Sequence, residues 1–290
     1  MNAIISHPIV SGAHDATRHL YTSRRRALIV VPCYNEAERF NHDAFAQFIA
    51  RHPGVDFVFV NDGSTDATEA RLEALRAEFP QRVTVLGLSR NSGKAEAVRQ
   101  GMLYACDRGV NHVGYWDADL ATPLDAIPDF LRVIDREQDV QVVYGARLRM
   151  LGRRIERRFS RRIVSGICAT LARQVLCMPI SDSQCGAKML RNTPSLRFAL
   201  SEPFNAGWLF DVELFLRLKE RFVAIESRHA FFEQPLVEWD EVPGSKVSGK
   251  AILRSGMQML KLLGRARLGL NFSAKPVAAP VTASVCAPAA

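Results

Sequence analysis

An alternation that begins at residue 27 constrains the fold more than any other feature of this chain. From there, short apolar runs rich in Val and Ile alternate with longer segments of helical periodicity. This pattern predicts an α/β fold with a mostly parallel, Rossmann-like sheet and helices on both of its faces. The predicted strands are 27–33, 55–60, 82–88, 112–116 and 140–146, and the predicted helices are 38–51, 67–79, 94–107 and 123–136.

After residue 147 the alternation stops, and the remaining segments are predicted to cover one edge and the open face of the sheet. Two short β-like runs occur at 223–226 and 231–238. The apolar stretch 163–180 is interrupted by Arg173, which does not suit a membrane-spanning helix. The predicted organisation is a flexible segment 1–26, a catalytic domain 27–246, an amphipathic helix 247–272 and a disordered tail 273–290 rich in Ala, Pro and Val.

The charge of the chain indicates an anionic partner. Lys and Arg total 38 against 30 for Asp and Glu, a formal net charge of +8. Nucleic acid is excluded as that partner, because aromatic residues are not interleaved with the basic run. The first 26 residues lack the pattern of a secretory signal, and the six cysteines lack CxxC spacing. We therefore expect a cytoplasmic protein with reduced thiols, peripherally attached to a membrane.

Polar residues follow every predicted strand, at the edge where open α/β sheets bind ligands. The polar runs are PCYNE at 32–36, NDGSTD at 61–66, SRNSGK at 89–94, DAD at 117–119 and GAR at 145–147. A Rossmann dehydrogenase is excluded, because the first of these runs has no glycine fingerprint. The convergence of all five runs on one edge predicts a site there.

Asp117 and Asp119 are the candidate metal ligands. Their spacing lets one or both carboxylates reach a hard cation, Mg²⁺ or Mn²⁺, that also takes diphosphate oxygens and water. Such a cation would neutralise a leaving nucleotide diphosphate. Two aspartates at a strand end are also common surface residues, so the prediction depends on their position in the series of strand ends.

Asp62 and Lys94 each have a structural and a functional interpretation. The run around Asp62 can be a plain turn with a helix cap, or Asp62 can accept hydrogen bonds from a base or ribose. Lys94 can be a solvated charge, yet the helix dipole disfavours a lysine at a helix start. An anionic ligand would explain its position, so both interpretations stay open.

The motifs PCYNE, NDGSTD, GKAEAVRQGM and DADL, in this order and spacing, resemble family 2 glycosyltransferases. In the second half, DSQCGAK at 182–188, GWLFDVEL at 207–214, and VEW, EV and GSK within 237–246 are similar to the dolichyl-phosphate β-glucosyltransferase branch. The resemblance covers about residues 27–265. It implies a GT-A fold, a nucleotide-sugar donor such as UDP-glucose, inversion at the anomeric carbon and a polyisoprenyl phosphate acceptor.

The resemblance also implies roles for individual residues. The implied nucleoside-binding positions are Pro32, Tyr34, Glu36 and Asp62, and the implied donor-sugar loop contains Gln184 and Lys188. The other implied roles are metal and diphosphate binding at Asp117 and Asp119, phosphate binding at Arg147, and an acidic pair near the acceptor at Asp211 and Glu213. Asn61 stands where the family usually has a first aspartate, and Ala187 where it usually has phenylalanine.

A strongly basic segment follows the last predicted strand. Its arginines are Arg147, Arg149, Arg153, Arg154, Arg157, Arg158, Arg161 and Arg162, and Glu156 is the one acid among them. Anionic lipids attract such clusters by about 1 kcal/mol per basic residue, and arginine also grips phosphate in a bidentate manner. A solvated basic helix face is the alternative interpretation.

The nature of the acceptor decides what Asp211 must do. A phosphate monoester is already ionised at neutral pH and needs no strong base, so Asp211 would orient the acceptor or stabilise positive charge on the sugar ring. A hydroxyl acceptor needs a carboxylate base, with Asp211 the first candidate and Glu213 the second. The alternatives are therefore a soluble family 2 transferase acting on a glycan, polysaccharide or small-molecule hydroxyl, and an inactive scaffold relative.

Overall fold

The structure is a computed structural model that describes residues 27–156, 159–222, 229–242, 256–258, 260–264 and 284–285. Its strands are β1 (Ala27–Cys33), β2 (Val55–Asn61), β3 (Val83–Gly87), β4 (His112–Trp116), β5 (Val142–Ala146), β6 (Arg154–Ile155), β7 (Ala187–Arg191), β8 (Phe231–Pro235), β9 (Glu238–Trp239) and β10 (Ser284–Val285). Its α-helices are α1 (His42–Arg51), α2 (Thr68–Glu78), α3 (Lys94–Asp107), α4 (Ile127–Arg136), α5 (Phe159–Leu176), α6 (Pro194–Ala199) and α7 (Phe210–Lys219).

The described strands form a mixed central sheet in the order β10-β3-β2-β1-β4-β7-β5-β8, and β6 pairs separately with β9. Neighbours β3, β2, β1 and β4 are parallel, as are β5 and β8. β7 runs antiparallel to both β4 and β5. The predicted class, a mostly parallel sheet with covering helices, is therefore confirmed, with one antiparallel strand inserted near its middle.

Both faces of the sheet are buried, because the alternate side chains of each inner strand enter two different cores. In β1, Leu28 and Val30 join one core with α3, α5, α6 and α7. Ile29 and Val31 point the other way and join a core with α1, α2 and α4. Burial on both faces explains why the inner strands are continuous apolar runs instead of alternating patterns.

The strand at β7 was not predicted. The resemblance implies a loop beside the donor sugar at Lys188, whereas the structure places Ala187 and Lys188 in a strand paired with Trp116 and Tyr115 of β4. Lys188 and Arg191 give this segment a polar appearance in sequence. Its backbone nevertheless completes the hydrogen bonding between β4 and β5, so the prediction of a loop is wrong for these residues.

The segments after residue 147 differ from their predictions in other ways. The run predicted at 231–238 divides into β8 and the start of β9, and the stretch 163–180 corresponds mostly to α5, which packs against α7. No helix within the described ranges is long and apolar enough to cross a membrane. The run 223–226 and the segment 1–26 lie outside the described residues.

The structure describes only short parts of the carboxyl-terminal segment. Residues 256–258 and 260–264 are helical within the predicted amphipathic helix, and Leu262 is buried in the core that contains α3 and α7. In the tail predicted to be disordered, β10 pairs antiparallel with Leu86 and Gly87. An edge strand such as β3 offers unpaired backbone groups, which accounts for this pairing. The other residues of 265–290 lie outside the described part of the chain.

Candidate functional site

The loops that follow β1 and β2 are joined by hydrogen bonds at the carboxyl edge of the sheet. The Asn35 amide donates to Ser64 Oγ at 3.0 Å, and Asn35 Oδ1 accepts from the Thr65 amide at 2.8 Å. The Glu36 amide donates to Thr68 Oγ1 at 2.7 Å. Asn35 adopts a left-handed backbone with φ of 51°, which asparagine tolerates better than most residues. The PCYNE and NDGSTD motifs therefore form one surface.

Three predicted donor-binding residues lie at the end of β1 and on the loop that follows it. Pro32 is paired in register with Val60, and Tyr34 follows it half-buried at the end of the strand. Glu36 is half-buried, and its Oε1 lies 2.5 Å from Arg39 Nη2. The structure thus brings Pro32, Tyr34 and Glu36 to the predicted edge, while their contacts with a nucleoside remain a prediction.

Asp62 fixes the backbone that leads into α3. Its Oδ1 accepts from the Ser92 amide at 2.7 Å and its Oδ2 from the Gly93 amide at 2.8 Å. Gly93 has φ of 90°, a conformation that L side chains rarely adopt. Burial raises the pKa of Asp62, and the two amide hydrogen bonds offset part of this rise. Asp62 therefore has a structural role in this turn, and any contact with a base or ribose would be additional to that role.

Lys94, the first residue of α3, reaches the candidate metal ligand Asp117. Its Nζ lies 2.5 Å from Asp117 Oδ1. Burial lowers the pKa of Lys94, but the charges of Asp117, Asp211 and Asp119 more than offset it, so the pKa lies above its usual value. Lys94 is therefore an ammonium ion held among carboxylates, which explains a lysine at an unfavourable helix end.

Asp117 is held by the backbone that precedes β7. Its amide donates to the Gly186 carbonyl at 3.0 Å. A Cβ at position 186 would lie 2.6 Å from Asp117 Oδ1 and closer still to Oδ2. Only glycine leaves room for the carboxylate in this position, so the DSQCGAK motif supports the DAD motif through a close backbone approach.

Asp119 completes the acidic pair. Its Oδ1 accepts from the Ala121 amide at 3.1 Å, across a tight turn in which Leu120 has φ of 53°. Burial and then the charge of Asp117 raise the pKa of Asp119. A bound cation would favour the charged form of Asp119 and bind both carboxylates, so their chemistry suits Mg²⁺ or Mn²⁺. The described residues contain no cluster of three or more His, Cys, Asp or Glu side chains that could hold a metal.

Asp211, at the start of α7, belongs to a buried cluster behind this pair. Its Oδ1 accepts a hydrogen bond from the Tyr115 hydroxyl and lies 3.0 Å from Lys188 Nζ. Lys188 is fully buried and also donates to the Cys185 carbonyl at 2.7 Å. Burial and the charge of Asp211 hold the pKa of Tyr115 well above its usual value. Asp211 therefore has a fixed position, and Lys188 is its internal counter-ion.

Arg147 lies at the carboxyl end of β5 and forms a bidentate pair with Asp182. Its Nε is 2.6 Å from Asp182 Oδ2, its Nη2 is 2.8 Å from Oδ1, and its guanidinium lies over the Trp239 ring at 5.1 Å. Burial lowers the pKa of Arg147, but the charge and hydrogen bonds of Asp182 raise it by more, so the net shift of this pKa is upward. This geometry leaves Nη1 without a hydrogen bond to a described residue, and phosphate binding by Arg147 stays a prediction.

The segment that contains most of these motifs matches a known protein family. The sequence model of the family described as "Glycosyl transferase family 2" matches residues 28–196, more than half of the chain. The chain belongs to glycosyl transferase family 2. It is a transferase, and its mostly parallel sheet with covering helices is the GT-A fold expected from the motifs.

Two relatives match this family 2 glycosyltransferase over most of its length. A dolichyl-phosphate beta-glucosyltransferase of Drosophila melanogaster is 32% identical, with 76% of this chain and 68% of that protein covered. The polyprenol monophosphomannose synthase of Mycolicibacterium smegmatis is 26% identical, with 84% of this chain and 89% of that protein covered.

A solved structure shows the same fold. Glucosyl-3-phosphoglycerate synthase from Mycobacterium tuberculosis, in complex with Mn²⁺, UDP-glucose and phosphoglyceric acid, superposes with a TM-score of 0.62 at 19% identity. The superposition covers 85% of this chain and 83% of that one.

Glu213 of the transferase has a different environment from its predicted partner Asp211. Its Oε2 accepts from the Asn205 and Ala206 amides at 2.8 and 2.7 Å, and its Oε1 lies 2.6 Å from Arg217 Nη2. The side chain is fully buried. Because both oxygens bind the protein itself, this geometry argues against Glu213 as a base.

Gln184 and its neighbour Ser183 lie beside Asp182 in the loop before β7. The Gln184 amide donates to Asp182 Oδ1 at 3.2 Å. Gln184 Nε2 and Ser183 Oγ are both buried and have no hydrogen-bond partner among the described residues. Buried polar atoms in proteins are nearly always paired, so these two atoms are suited to a polar ligand, as the predicted sugar-side role of Gln184 requires.

The predicted acceptor or membrane arginines divide into separate groups. Arg149 and Arg153 are exposed and make no ion pair with a described residue. Arg154 is instead paired with Glu238 and, at 2.9 Å, with Asp240, and its role toward an acceptor or a membrane stays a prediction. Arg157 and Arg158 lie outside the described residues.

Three residues of this site were not singled out in the sequence. Asp182 binds Arg147, Tyr115 binds Asp211, and Glu233 accepts from the Asp182 amide at 2.7 Å. Asp182 could have been found, because it begins the motif that contains Gln184. Tyr115 and Glu233 lie within strands, where nothing in the local pattern distinguishes them from packing residues.

Proposed function

We propose that this transferase moves a hexosyl group, glucose, from UDP-glucose to a polyisoprenyl phosphate, with inversion at the anomeric carbon. The observation that carries the proposal is the meeting of the acidic pair Asp117 and Asp119 with the cation Lys94 at one sheet edge. Relatives named for glucosyl transfer to dolichyl phosphate and for polyprenol monophosphomannose synthesis support the acceptor class.

In this proposal Asp117 and Asp119 hold Mg²⁺ or Mn²⁺. The bound cation would supply electrostatic stabilisation of the leaving nucleotide diphosphate. The raised pKa of Asp119, caused by burial and by Asp117, supports this assignment, because a cation relieves the repulsion between the two carboxylates. Glucosyl-3-phosphoglycerate synthase, which has a similar fold, forms a complex with Mn²⁺ and UDP-glucose, and this supports the choice of metal and donor class.

The donor would lie across the loops after β1, β2 and β3. Pro32, Tyr34 and Glu36 would line the nucleoside, on the loop that hydrogen bonds tie to the NDGSTD turn. Lys94 would move its ammonium from Asp117 to the diphosphate, a short movement for a side chain that is more than a third exposed. Gln184 would donate its free amide to a hydroxyl of the sugar.

The acceptor would approach from the side of Arg147. A phosphate monoester brings an ionised oxygen, so the attack on the anomeric carbon needs no proton transfer to the protein. Arg147 Nη1 would hold that phosphate, while Asp182 keeps the guanidinium in its plane. Asp211 would stabilise the positive charge that develops on the sugar ring, from the position that Tyr115 and Lys188 enforce.

The test is donor-dependent transfer by the purified full chain, with labelled UDP-glucose, undecaprenyl phosphate in detergent, and Mg²⁺ or Mn²⁺. We expect labelled glycolipid that disappears with chelator. We expect Asp119→Ala to lower kcat/KM about a thousandfold, because a metal contributes several kcal/mol to stabilising the leaving group. Asp129→Ala, on α4 and paired only with Arg132 among the described residues, is the matched control and should leave the rate unchanged.

Two outcomes would contradict parts of this proposal. Metal-dependent release of UDP without glycolipid, together with transfer to a hydroxyl acceptor, would overturn the lipid phosphate and make Asp211 the base. Transfer that persists at full rate in chelator and in Asp119→Ala would overturn the metal assignment while leaving the transferase chemistry in place.

A further inference from the structure

A loop between β5 and β6 carries apolar side chains into solvent. It comprises residues 148–153, and we call it the 148–153 loop. Leu151 is 104% exposed and Met150 is 52% exposed. Val237, whose carbonyl accepts from the Arg154 amide at 2.9 Å, is 54% exposed at the base of the loop. Single exposed apolar residues are common, but two at the tip of one loop with a third at its base form a candidate docking surface.

The exposure is a feature of an anchored loop. The Arg153 amide donates to the Met150 carbonyl at 3.1 Å, and Gly152 turns the chain with φ of 77°. Directly after the turn, β6 pairs with β9, and Ile155 and Trp239 of this pair are buried. The chain therefore holds Leu151 outward while it buries residues only a few positions away.

The charges around the apolar tip favour an anionic partner. Arg149 and Arg153 flank Met150 and Leu151, and both are exposed without an ion pair to a described residue. The acids Glu238 and Asp240 lie at the base of the loop, where they pair with Arg154. An apolar tip between two cations is suited to the interface of an anionic bilayer, which takes the apolar groups among its acyl chains and the cations among its headgroups.

The loop is also connected to the proposed site. It follows β5 directly, and Trp239 of the buried strand pair lies under the guanidinium of Arg147 at 5.1 Å. The Leu236 amide donates to the Ala146 carbonyl at 2.9 Å, which holds the base of the loop against the end of β5. A surface bound by the tip would therefore face the edge of the sheet at which Arg147 lies.

We propose that the 148–153 loop, together with Val237, docks this protein on an anionic lipid bilayer, with Leu151 inserted at the interface. Docking in this orientation brings the Arg147 side of the site to the headgroup region, where the phosphate of a membrane-embedded acceptor lies. This last step rests on the proposed acceptor, whereas the docking itself does not depend on it.

The test is flotation of the full-length protein with vesicles that contain neither polyisoprenyl phosphate nor donor. We expect binding to phosphatidylcholine vesicles that include phosphatidylglycerol, weaker binding to phosphatidylcholine alone, and release by high salt, because salt screens the arginine charges. Leu151→Asp should lower the partition coefficient at least about tenfold. Leu151 is fully exposed, so this change should leave folding intact, which thermal unfolding checks.

A double variant tests Arg149 and Arg153, and a second double variant with the same loss of charge is its control. Arg149→Gln with Arg153→Gln should lower binding to the anionic vesicles about twenty-five-fold, since each basic residue near such a surface contributes about fivefold. The control is Arg132→Gln with Arg136→Gln on α4, where both side chains are exposed and the loss of net charge is the same. Equal losses in the two double variants would show a general charge effect and overturn the assigned surface.

The Leu151→Trp variant reports on insertion itself. With the signal of Trp116, Trp208 and Trp239 subtracted by use of the unaltered protein, the new indole should shift its emission to the blue with anionic vesicles and be quenched by brominated lipid chains. An unshifted emission from the new indole, or binding of Leu151→Asp equal to that of the unaltered protein, would overturn the proposal. Glycolipid formation in detergent with no vesicle binding would overturn docking alone, and vesicle binding without glycolipid would overturn only the acceptor.

Discussion

The two halves of the site use charged residues in different ways. At the ends of β1 to β4, two charges remain partly open, although Asp62 is buried: the side chains of Lys94 and Asp117 are 38% and 32% exposed. From β5 to α7 the charges are closed off: Lys188 and Asp211 are 0% and 5% exposed, and Glu213 is fully buried. The first half keeps charges available to a ligand, and the second half uses most of its charges to hold the fold. Residue type alone does not reveal which task a charge performs.

Lys188→Met is the strongest test of this comparison. The change leaves Asp211 as a buried carboxylate without its counter-ion, so the free energy of unfolding should fall by about 3–5 kcal/mol. Denaturant unfolding measures this loss. Arg132→Gln, which breaks the exposed pair with Asp129, is the control and should change stability by at most about 0.5 kcal/mol. Equal stability of Lys188→Met and the unaltered protein would instead favour the role at the donor sugar that the sequence suggested for Lys188.

Gly186→Ala tests the contact through which the second half supports the first. The added Cβ would overlap the Asp117 carboxylate and displace it, and a displacement of about 1 Å at a reacting centre costs about a hundredfold in rate. We expect kcat/KM for donor turnover to fall by that factor. Gly87→Ala is the matched control, because nothing lies within 4 Å of a Cβ at that position. A fully active Gly186→Ala enzyme would mean that the position of Asp117 does not matter to the reaction.

Glu213→Gln separates the two acidic residues of α7. The amide keeps the shape of the side chain but weakens charge-assisted hydrogen bonds to Arg217 and to two backbone amides, so we expect a loss of about 2 kcal/mol in stability. The rate per folded molecule should stay the same at a temperature where the variant is folded. A large fall in kcat with unchanged stability would restore Glu213 as a catalytic group.

Most of the first half could be predicted from the sequence. The predicted strand 112–116 and helix 94–107 coincide with β4 and α3, because apolar periodicity and glycine positions specify these elements locally. The polar runs are visible in the sequence, and the topology of parallel sheets places them at one edge of the sheet. Their meeting at one edge needed no knowledge of individual side-chain contacts.

The second half could not be predicted in the same way, because its decisive contacts join distant positions. Arg147 and Asp182 are 35 residues apart, and Tyr115 and Asp211 are 96 residues apart. In sequence, Lys188 of β7 indicates an exposed loop, since a buried lysine without a counter-ion is strongly disfavoured. Only the structure shows that Asp211 is that counter-ion. The strand β10 depends likewise on an edge of the sheet that the local sequence does not describe.

Lys94→Gln is the mildest of these changes and tests whether the open charges of the first half serve the donor. The glutamine keeps a polar group at the start of α3 but removes the cation that lies 2.5 Å from Asp117. We expect the KM for the nucleotide sugar to rise about tenfold, which corresponds to about 1.4 kcal/mol, with little change in thermal unfolding because Lys94 is more than a third exposed. Lys219→Gln, on α7 and bonded to the Leu176 carbonyl, is a control that removes the same charge away from the site. If Lys94→Gln lowered stability and left the KM unchanged, Lys94 would be a fold-holding charge like Lys188, and the contrast between the two halves would disappear.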